Sequence, residues 1–456
     1  DGKLDFIGNA LQYEKNGVPK GTEELSRRVG FTGNVNYIYN NRYFMDLSFR
    51  VDGSSLFGTK NKFAPFWSAG IGWNVHNEKF MQNQNIVNNL RIRGSYGETG
   101  SQQFSSYQAL STFQSYTGKR YIIWNGSELM GLGNEKLKWQ VTKQLNGGVE
   151  VGLFDGRLSA SFDIYSKKTS NLLSQMDLPL ANGFSSYVDN VGEVKNTGYE
   201  AMISGYLMRD THRNIIWSMT AKLAYTKNEI TKLSEAIKRQ NELYKSKDVE
   251  INQLLYEGYA QNSIWAVPSM GIDPSTGYEI FLDKNGNITD KWNPSDKRYF
   301  GVDEPKYRGN ISTYFAWKDL SVNLSFAYQW GGQQYNETLL NKVEVTNGEI
   351  DKNNVDSRVL KKRWQHIGDV KPYKGYGSVE TKATSRFVMD DNVFQFQSAS
   401  VEYRLHSDFL RDKWKVETIS IGANMSDIFY ISSIKRERGT SYPFARRLAL
   451  TLSLMF

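Results

Sequence analysis

The chain has 456 residues, no cysteine, 14% aromatic residues and a formal net charge of +8. No run approaches the roughly 18 consecutive apolar residues of a transmembrane helix, which excludes helical spans, and the lack of cysteine excludes disulfides, thiolate catalysis and cysteine-ligated zinc. Basic residues lie in short scattered clusters such as 361–363 and 435–438, without a zinc-finger or helix-turn-helix pattern, so the charge favours loops facing lipid phosphates over nucleic-acid binding.

Short runs of alternating apolar and polar residues recur along the whole chain. Leu158, Ala160 and Phe162, for example, alternate with Ser159 and Ser161. A period of two places successive side chains on opposite faces of a strand, and each run has about the length that a tilted membrane strand needs. We therefore expect an all-β protein, a transmembrane antiparallel β-barrel of about a dozen or more strands. The predicted strands are 30–39, 42–51, 66–75, 89–97, 142–153, 158–165, 196–207, 217–225, 309–317, 321–330, 394–405, 417–426 and 447–456.

The connections between these runs are alternately short and long. Asp155-Gly156 and Lys318-Asp319 predict tight hairpin turns, which a membrane barrel places on the periplasmic side. Longer stretches are interpreted as irregular loops that project outward. They cover 99–139, 168–194, 229–307 and 332–392.

Two local irregularities are also predicted. The charged segment 232–255 favours a solvated helix within its loop. In the run 394–405 the apolar positions change parity between Phe396 and Ala399, which predicts a β-bulge near Ser398. A misplaced strand boundary would explain the change of parity equally well.

The last run has the strictest alternation. Its polar side carries Arg447, Ala449, Thr451 and Ser453. We expect the opposite side to face lipid and this strand to close the barrel, since a closing strand carries its apolar band to the rim. The apolar row consists of Leu448, Leu450, Leu452, Leu454 and Phe456.

Beyond the alternation, the chain contains a series of specific short sequence motifs. The sequence resembles the SusC-like TonB-dependent outer-membrane transporters, and the resemblance extends over nearly the whole chain. It is carried by YNNRY at 39–43, RVDGSS at 50–55, FWSAGIGW at 66–73, LRIRGSYG at 90–97, GRL at 156–158, DIY at 163–165, NTGYE at 196–200 and GIDPSTG at 271–277.

The resemblance implies a barrel of about 22 strands in the outer membrane of a Gram-negative bacterium, with an N-terminal plug, a small preceding domain and a TonB-interacting segment. Asp1 corresponds to a position inside the barrel half of the family pattern. We therefore expect residues 1–456 to form the C-terminal portion of the barrel, with the plug and preceding domain supplied upstream or by another chain.

The resemblance also implies partners. A SusD-like surface lipoprotein would cap the barrel, with its contacts in the loops 229–307 and 332–392, and the TonB complex would act through the missing N-terminal portion. The resemblance further implies that two such transporter–lipoprotein units can pair as a dimer. Outer-membrane lipid would surround the barrel.

The residues offer little metal or cofactor chemistry. The four histidines at 76, 212, 366 and 406 are far apart and lack ligand spacing. The segment from Asp283 to Asp290 loosely resembles a calcium loop, but Gly286 is fourth and Pro294 twelfth, where an EF-hand has Gly sixth and Glu twelfth. A hairpin turned by Asn285-Gly286 is favoured, with calcium on this outer loop as the alternative.

No enzyme is predicted. Asp52 lies near the hydroxyls of Ser54 and Ser55, but the segment has no G-x-S-x-G elbow and no histidine tied to it, so turn chemistry at a strand end explains it. No carboxylate pair suited to glycoside hydrolysis is apparent in the sequence. An outer-membrane hydrolase therefore ranks last among the functions considered.

Transport needs a polar lumen and an outer ligand site. The polar faces of the predicted strands supply the first. Aromatic residues in the long loops are candidate stacking platforms for sugars or apolar peptide groups, although such residues also populate interfacial girdles and pack loops. The candidates are Trp265, Trp292, Tyr299 and Trp364.

The function predicted from these features is TonB-dependent import of an oligomeric nutrient, either glycan or peptide. A passive porin, or a structural scaffold for surface lipoproteins, is the alternative. A plug and a TonB segment encoded upstream would reject that alternative.

Overall fold

A computed structural model describes residues 25–57, 61–101, 109–121, 124–178, 181, 183–184, 186–245, 251, 254–344, 356–377, 380–434 and 446–456. The basic cluster predicted at 435–438 lies outside these residues. The strands are β1 Arg28–Tyr39, β2 Tyr43–Ser54, β3 Phe63–Asn74, β4 Val87–Ser101, β5 Thr112–Tyr121, β6 Trp124–Gly131, β7 Gln140–Leu153, β8 Leu158–Asp177, β9 Ser186–Asp210, β10 Ile215–Leu233, β11 Ser263–Ala266, β12 Ser269–Ile272, β13 Glu279–Leu282, β14 Ile288–Thr289, β15 Arg298–Val302, β16 Tyr307–Trp317, β17 Leu320–Tyr335, β18 Val388–Leu405, β19 Thr418–Ser432 and β20 Arg447–Met455.

Helices are few and short. The α-helices are α1 Glu235–Lys245, α2 Arg358–Lys362 and α3 Asp408–Trp414. A π-helix covers Leu339–Glu344, and single 3₁₀ turns cover Val75–Asn77, Lys79–Met81, Pro294–Asp296 and Ser385–Phe387. Among the described residues, no helix has the length and apolarity needed to cross a membrane.

Thirteen strands form one antiparallel sheet in chain order, β1-β2-β3-β4-β7-β8-β9-β10-β16-β17-β18-β19-β20. Each pairs with the next, and β1 and β20 are the edge strands of this sheet in the described part of the chain. All thirteen predicted strands are present. The expected all-β antiparallel architecture is confirmed.

The register separates the sheet into one apolar and one polar face. On the polar face, one row of paired residues runs Arg93, Gly148, Asp163, Glu200, Ala224, Arg308 and Gln329. On the apolar face, a parallel row runs Ile71, Gly94, Gly147, Ile164, Tyr199, Tyr225, Tyr307 and Trp330. Because side chains alternate along every strand, this separation continues across the sheet.

Aromatic residues mark two levels on the apolar face. At the outer level Tyr225 lies between Tyr199 and Tyr307, with ring centroids 5.1 and 5.0 Å apart, and Tyr307 lies 5.6 Å from Trp330. At the level of the short turns, Trp217 pairs in register with Phe315. From Trp217 to Tyr225 the strand covers about the 9 to 11 residues that cross a bilayer. Aromatic girdles occupy both interfaces of membrane barrels.

The local irregularities are found close to where they were expected. The pairing of β18 shifts by one residue between Phe396 and Ser398 against both neighbouring strands. Against β17 the extra residue is Gln397, whereas against β19 the extra residue lies at 427–428 of β19, so the predicted bulge is confirmed. The predicted loop helix exists: Leu233 ends β10 and α1 covers Glu235–Lys245. Residues 246–250 and 252–253 of the predicted segment lie outside the described residues.

The short turns hold their predicted positions. Lys318, at φ 52°, and Asp319 join β16 to β17, whose end residues Trp317 and Leu320 pair directly. Between β7 and β8, Asp155 and Gly156 lie in the left-handed region at φ 55° and 74°. Glycine tolerates that backbone conformation at little cost.

The four stretches interpreted as irregular loops contain regular structure, so that part of the prediction was wrong. The hairpin β5–β6 lies within 99–139, and the outer ends of β8 and β9 pair through 168–194, as at Ser174 and Asp189. The stretch 229–307 holds α1 and β11 to β15, and 332–392 holds the outer ends of β17 and β18. Beyond the bilayer a strand has no lipid face, so the alternation that reveals membrane strands is lost.

Buried apolar clusters lie at the outer end of the sheet. In one, Ile237 of α1 packs against the extended ends of β8 to β10, together with Met176, Val191, Val194, Ile230 and Leu233. A second contains Phe57, Phe66, Ala109, Leu137 and Trp139. These clusters support the long outer connections on the sheet.

Candidate functional site

Two long connections are joined in what we call the outer-loop module, which consists of 254–302 and the described residues 336–344, 356–377 and 380–387. Val267 forms a parallel bridge with Thr384, and the amide of Ser269 donates to Ser385 Oγ at 2.9 Å. The amide of Gly375 donates to the Gly277 carbonyl at 3.0 Å. The module therefore links segments that lie about one hundred residues apart in the chain.

A buried ion cluster holds the module together. The Arg386 guanidinium donates to both carboxylate oxygens of Glu279, at 3.1 and 3.0 Å, and to Glu344, with Nη2–Oε1 at 2.7 Å and Nη1 bonded to Oε2. The side chains of Glu279 and Glu344 are each 1% exposed and that of Arg386 is 12% exposed. Thr381 Oγ1 also donates to Glu344. One guanidinium thus bridges two buried carboxylates from different segments and compensates one of their two negative charges.

Further basic groups surround this cluster. Burial lowers the pKa of Lys374, and the charges of Glu279 and Glu344 oppose that shift. Burial likewise lowers the pKa of Arg363, whose guanidinium donates to the carbonyls of Lys374 and Glu344. For Arg386, burial acts in the same direction, but its hydrogen bonds and Coulomb attraction to the two carboxylates outweigh it and raise its pKa.

Two of the four predicted ligand-binding aromatics meet in one cluster. Trp265 of β11 pairs in register with Tyr299 of β15, and their ring centroids lie 5.8 Å apart. Tyr259 contacts both rings, at 5.1 and 5.0 Å, and Tyr256 lies 4.6 Å from Trp265. We call these four residues the aromatic cluster. Its rings meet at a tilt or edge to face on the outer-loop module.

Members of the aromatic cluster differ in exposure. Trp265 is 9% exposed, whereas Tyr299 is 42% and Tyr259 39% exposed. Burial raises the pKa of Tyr299, with a smaller contribution from Tyr259. The indole N–H of Trp265 is buried and has no hydrogen-bond acceptor in the described part of the chain. Trp265 therefore supports the cluster, and the two tyrosines provide its accessible faces.

Trp292 and Trp364 are engaged elsewhere in the module. The indole N–H of Trp292 donates to the Ala383 carbonyl at 3.1 Å, and that of Trp364 donates to the Pro274 carbonyl at 2.9 Å. A Cβ at Gly277 would overlap the Trp364 ring, so glycine is needed for this packing. Both tryptophans make contacts that tie loop segments together, and no contact joins them to the aromatic cluster in the described residues.

The segment 283–290 folds as the expected hairpin between β13 and β14. Asp283 Oδ1 accepts the amides of Asn285 and Asn287 at 2.8 Å, and Gly286 lies at φ 87°. The hydrogen bond from the Asn287 amide is the main cause that lowers the pKa of Asp283. In the described ranges, no group of three or more His, Asp or Glu side chains has an arrangement that could hold a metal ion. A calcium ion here would compete with the turn amides for Asp283.

The polar face of the sheet carries a second group of interest, the polar-face cluster of Arg93, Glu150 and Asp163. Arg93 Nη2 lies 2.7 Å from Asp163 Oδ1 and 3.5 Å from Glu150 Oε1. A Cβ at Gly148 would overlap Asp163 Oδ1 and lie 2.8 Å from Arg93 Nε. Glycine at 148 therefore lets the ion pair lie flat on the sheet.

Beside it, Arg91 lies over the Phe44 ring, with its guanidinium carbon 4.2 Å from the centroid. Phe44 in turn covers Gly72, where a Cβ would overlap the ring. Tyr165 and Thr226 join their hydroxyls at 3.0 Å across β8 to β10. The polar face is thus covered by charged and hydroxyl groups that are held in place by their neighbours.

Sequence reasoning missed the ion cluster and the polar-face cluster. Glu279, Glu344 and Arg386 are separated by up to 107 residues, and no local pattern connects them. Gly148 and Asp163 lie in predicted strands, and their direct pairing follows only from the register. The tight turn at 155–156 provided the one available clue to that register.

A large antiparallel sheet with one apolar face, girdled by aromatics, and one polar face defines a membrane β-barrel protein. Residues 12–424 match the family model described as "TonB dependent receptor-like, beta-barrel". The chain belongs to this family. It is a SusC-like barrel of the outer membrane.

Curated relatives support this assignment. TonB-dependent receptor P3 of Formosa agariphila is 29% identical over 97% of this chain and 45% of its own length. TonB-dependent receptor SusC of Bacteroides thetaiotaomicron is 26% identical over 72% of this chain and 34% of its own length. The chain thus spans less than half the length of these relatives.

Solved structures share the fold. The RagAB peptide transporter matches with a TM-score of 0.79 and 23% identity over 93% of this chain and 46% of its own. The RagAB peptide importer in its "open-open" state matches with a TM-score of 0.81 and 22% identity over 97% and 49%. At these identities the likeness concerns the fold.

Proposed function

We propose that this chain is the barrel portion of a TonB-dependent importer for an oligomeric nutrient, either glycan or peptide. Its membership of the TonB-dependent receptor family carries the proposal. A passage for a polar oligomer also requires a polar wall, and the polar face with its Arg93–Asp163 pair supplies one. Energy would come from the TonB complex acting on a plug that belongs to the whole protein.

The outer-loop module is the proposed site of first contact with substrate. Tyr259 and Tyr299 expose ring faces above the buried Trp265. Such faces stack on sugar rings and on apolar peptide side chains alike. Trp292 and Trp364 belong to the same proposed surface, with a supporting role because their N–H groups are bonded to loop carbonyls.

A SusD-like surface lipoprotein is the proposed partner, and the loops of 229–307 and 332–392 are its proposed contact region. The buried Arg386 cluster stabilises both connections in one arrangement, as a preformed docking surface requires. Pairing of two transporter–lipoprotein units is part of the same proposal. Catalysis is not, because the aromatic and ionic groups described here have contacts that suit binding and support.

The experiment that tests this proposal is mass spectrometry of the native complex, gently extracted from outer membranes. A co-purifying SusD-like lipoprotein, together with plug peptides covalently continuous with this chain, would support a capped importer. A barrel with neither would instead favour the passive porin or the structural scaffold.

A further inference from the structure

The connection between β18 and β19 contains a short amphipathic helix, α3, at the end of the sheet where the tight turns lie. Ser407 caps it by accepting the Phe409 amide, and Lys415 ends it in the left-handed region at φ 57°. The following Val416 is buried and donates its amide to the Leu410 carbonyl. The helix is therefore fixed at both ends.

One side of α3 is apolar and exposed. At about 100° per residue, positions 409, 410, 413 and 414 fall on the same side. Phe409 and Trp414 are each 57% exposed, and their ring centroids lie 6.2 Å apart. Two large aromatic side chains on a short helix remain open to their surroundings. Such an arrangement is unfavourable in water.

The charged residues of α3 are distributed differently on its two sides. Lys413 Nζ lies 5.2 Å from the Phe409 ring centroid, so the only basic residue on the apolar side lies beside an aromatic ring. On the opposite side Arg411 pairs with Asp408 at 2.8 Å and with Asp412 at 3.4 Å. These three charges sum to −1 and pair with one another on the side away from the rings, whereas Lys413 is the basic group beside the aromatic side chains and is placed to bind an external anion.

The neighbouring turn repeats the same combination. Trp317 ends the apolar row of β16, is half exposed, and has Lys318 Nζ 5.5 Å from its ring centroid. This turn adjoins the start of the α3 connection, because His406 Nδ1 lies 3.3 Å from Asp319 Oδ1 and the Arg404 amide donates to the Asp319 carbonyl. Aromatic rings with adjacent lysines therefore continue the lipid-facing surface of the barrel past its strand ends.

We infer that α3 lies in the plane of the membrane at the periplasmic interface and binds phospholipid headgroups. Phe409, Leu410 and Trp414 would enter the boundary between headgroups and acyl chains, and Lys413 would extend to a lipid phosphate. Interfacial helices combine an apolar face with basic residues in this way, and lysine stems snorkel to the phosphate level. Phospholipid is the occupant that fits, since α3 is continuous with the lipid-facing rows of β18 and β16.

The test uses the full-length protein in bilayers of phosphatidylcholine and phosphatidylglycerol. Tryptophan emission is compared between wild type and Trp414→Phe, with lipids brominated near the headgroup or near the chain end. The component lost in the variant should be quenched most by bromines near the headgroup and poorly by aqueous acrylamide. Trp364→Phe is the control, since its component comes from the outer-loop module and should not respond to brominated lipid.

A Trp414 component that acrylamide quenches and brominated lipid does not would overturn the inference. So would a component insensitive to both, because protein would then cover the helix. Lys413→Glu should weaken the headgroup quenching of Trp414, and unchanged quenching would reject the phosphate contact. None of these readings depends on uptake, so they hold whether or not the proposed import is correct.

Discussion

At the scale of single residues, the two faces of β20 should differ in how well they tolerate a charged side chain. Leu450 and Leu452 pair with Ala423 and Ile421 on the apolar face, whereas Thr451 pairs with Gly422 on the polar face. Leu450→Arg or Leu452→Arg should therefore cost about 2 to 4 kcal/mol in folding free energy near the bilayer midplane. Thr451→Arg should be tolerated much better. The measurement is urea-induced unfolding of the detergent-solubilised protein. Equal losses of stability at all three positions would contradict the assigned faces.

Two adjacent glycines provide a matched test of the polar wall. Gly148→Ala would place a methyl group between Arg93 and Asp163, and we expect a loss of about 1 kcal/mol as the ion pair is displaced. In Gly147→Ala the new methyl group would point to the other face, where it would lie 3.6 Å from Ile164 Cγ1, an ordinary van der Waals contact. Thermal unfolding in detergent should separate the two variants. Equal stability would mean that the pair readily moves aside.

At the scale of elements, the outer-loop module depends on Arg386. Arg386→Met leaves the buried Glu279 and Glu344 without the guanidinium that hydrogen-bonds both carboxylates, which should favour opening of the module by about 3 to 5 kcal/mol. Hydrogen exchange in β12 to β14 and in 336–387 would measure this opening while the main sheet stays protected. Lys382→Gln is the control, because its pair with Glu380 is much more exposed than the Arg386 cluster, at 39% and 69% of the two side chains. Unchanged exchange in the Arg386 variant would show that other contacts hold the module.

Within the aromatic cluster, Trp265 is expected to support the fold and Tyr299 to bind ligand. Trp265→Ala should destabilise the outer-loop module by about 3 to 5 kcal/mol, because a buried ring is removed. Tyr299→Ala should preserve the fold and weaken binding of oligosaccharide or oligopeptide pools to the full-length protein, measured by calorimetry. Tyr278→Ala, which removes an exposed aromatic outside the cluster, is the matched control. Equal affinity in the Tyr299 and Tyr278 variants would place the ligand site elsewhere.

Elements also show where sequence reasoning succeeds. Alternation revealed every strand of the main sheet because a lipid face and a polar face alternate along each one, and the change of parity at Phe396 located the bulge at Gln397. The same signal failed outside the bilayer. β9 continues to 25 residues, and its outer half has no lipid face but packs Val191 and Val194 against the cluster under α1. Its sequence there lacks the alternation of a membrane strand and resembles a loop.

The whole molecule adds contacts that no local pattern encodes. Trp265 and Tyr299 were singled out separately, and the β11–β15 register brings them together. Trp292 and Trp364 looked equivalent to them in sequence, but their N–H groups bond loop carbonyls. The cluster of Arg386, Glu279 and Glu344 depends on side chains from three distant segments. Burial makes each of these contacts important, because loss of one partner leaves a buried charge uncompensated, and composition and spacing do not report burial.

The most direct test of the central claim is uptake by cells that carry the full-length protein. Labelled oligosaccharide and oligopeptide pools would be supplied to these cells and to a deletion strain, with and without a protonophore. Energised import predicts that one pool enters only when the protein is present and that the protonophore abolishes its entry. Uptake that persists with the protonophore would contradict energised import and indicate a passive pore, and equal uptake in the deletion strain would remove a transport role altogether.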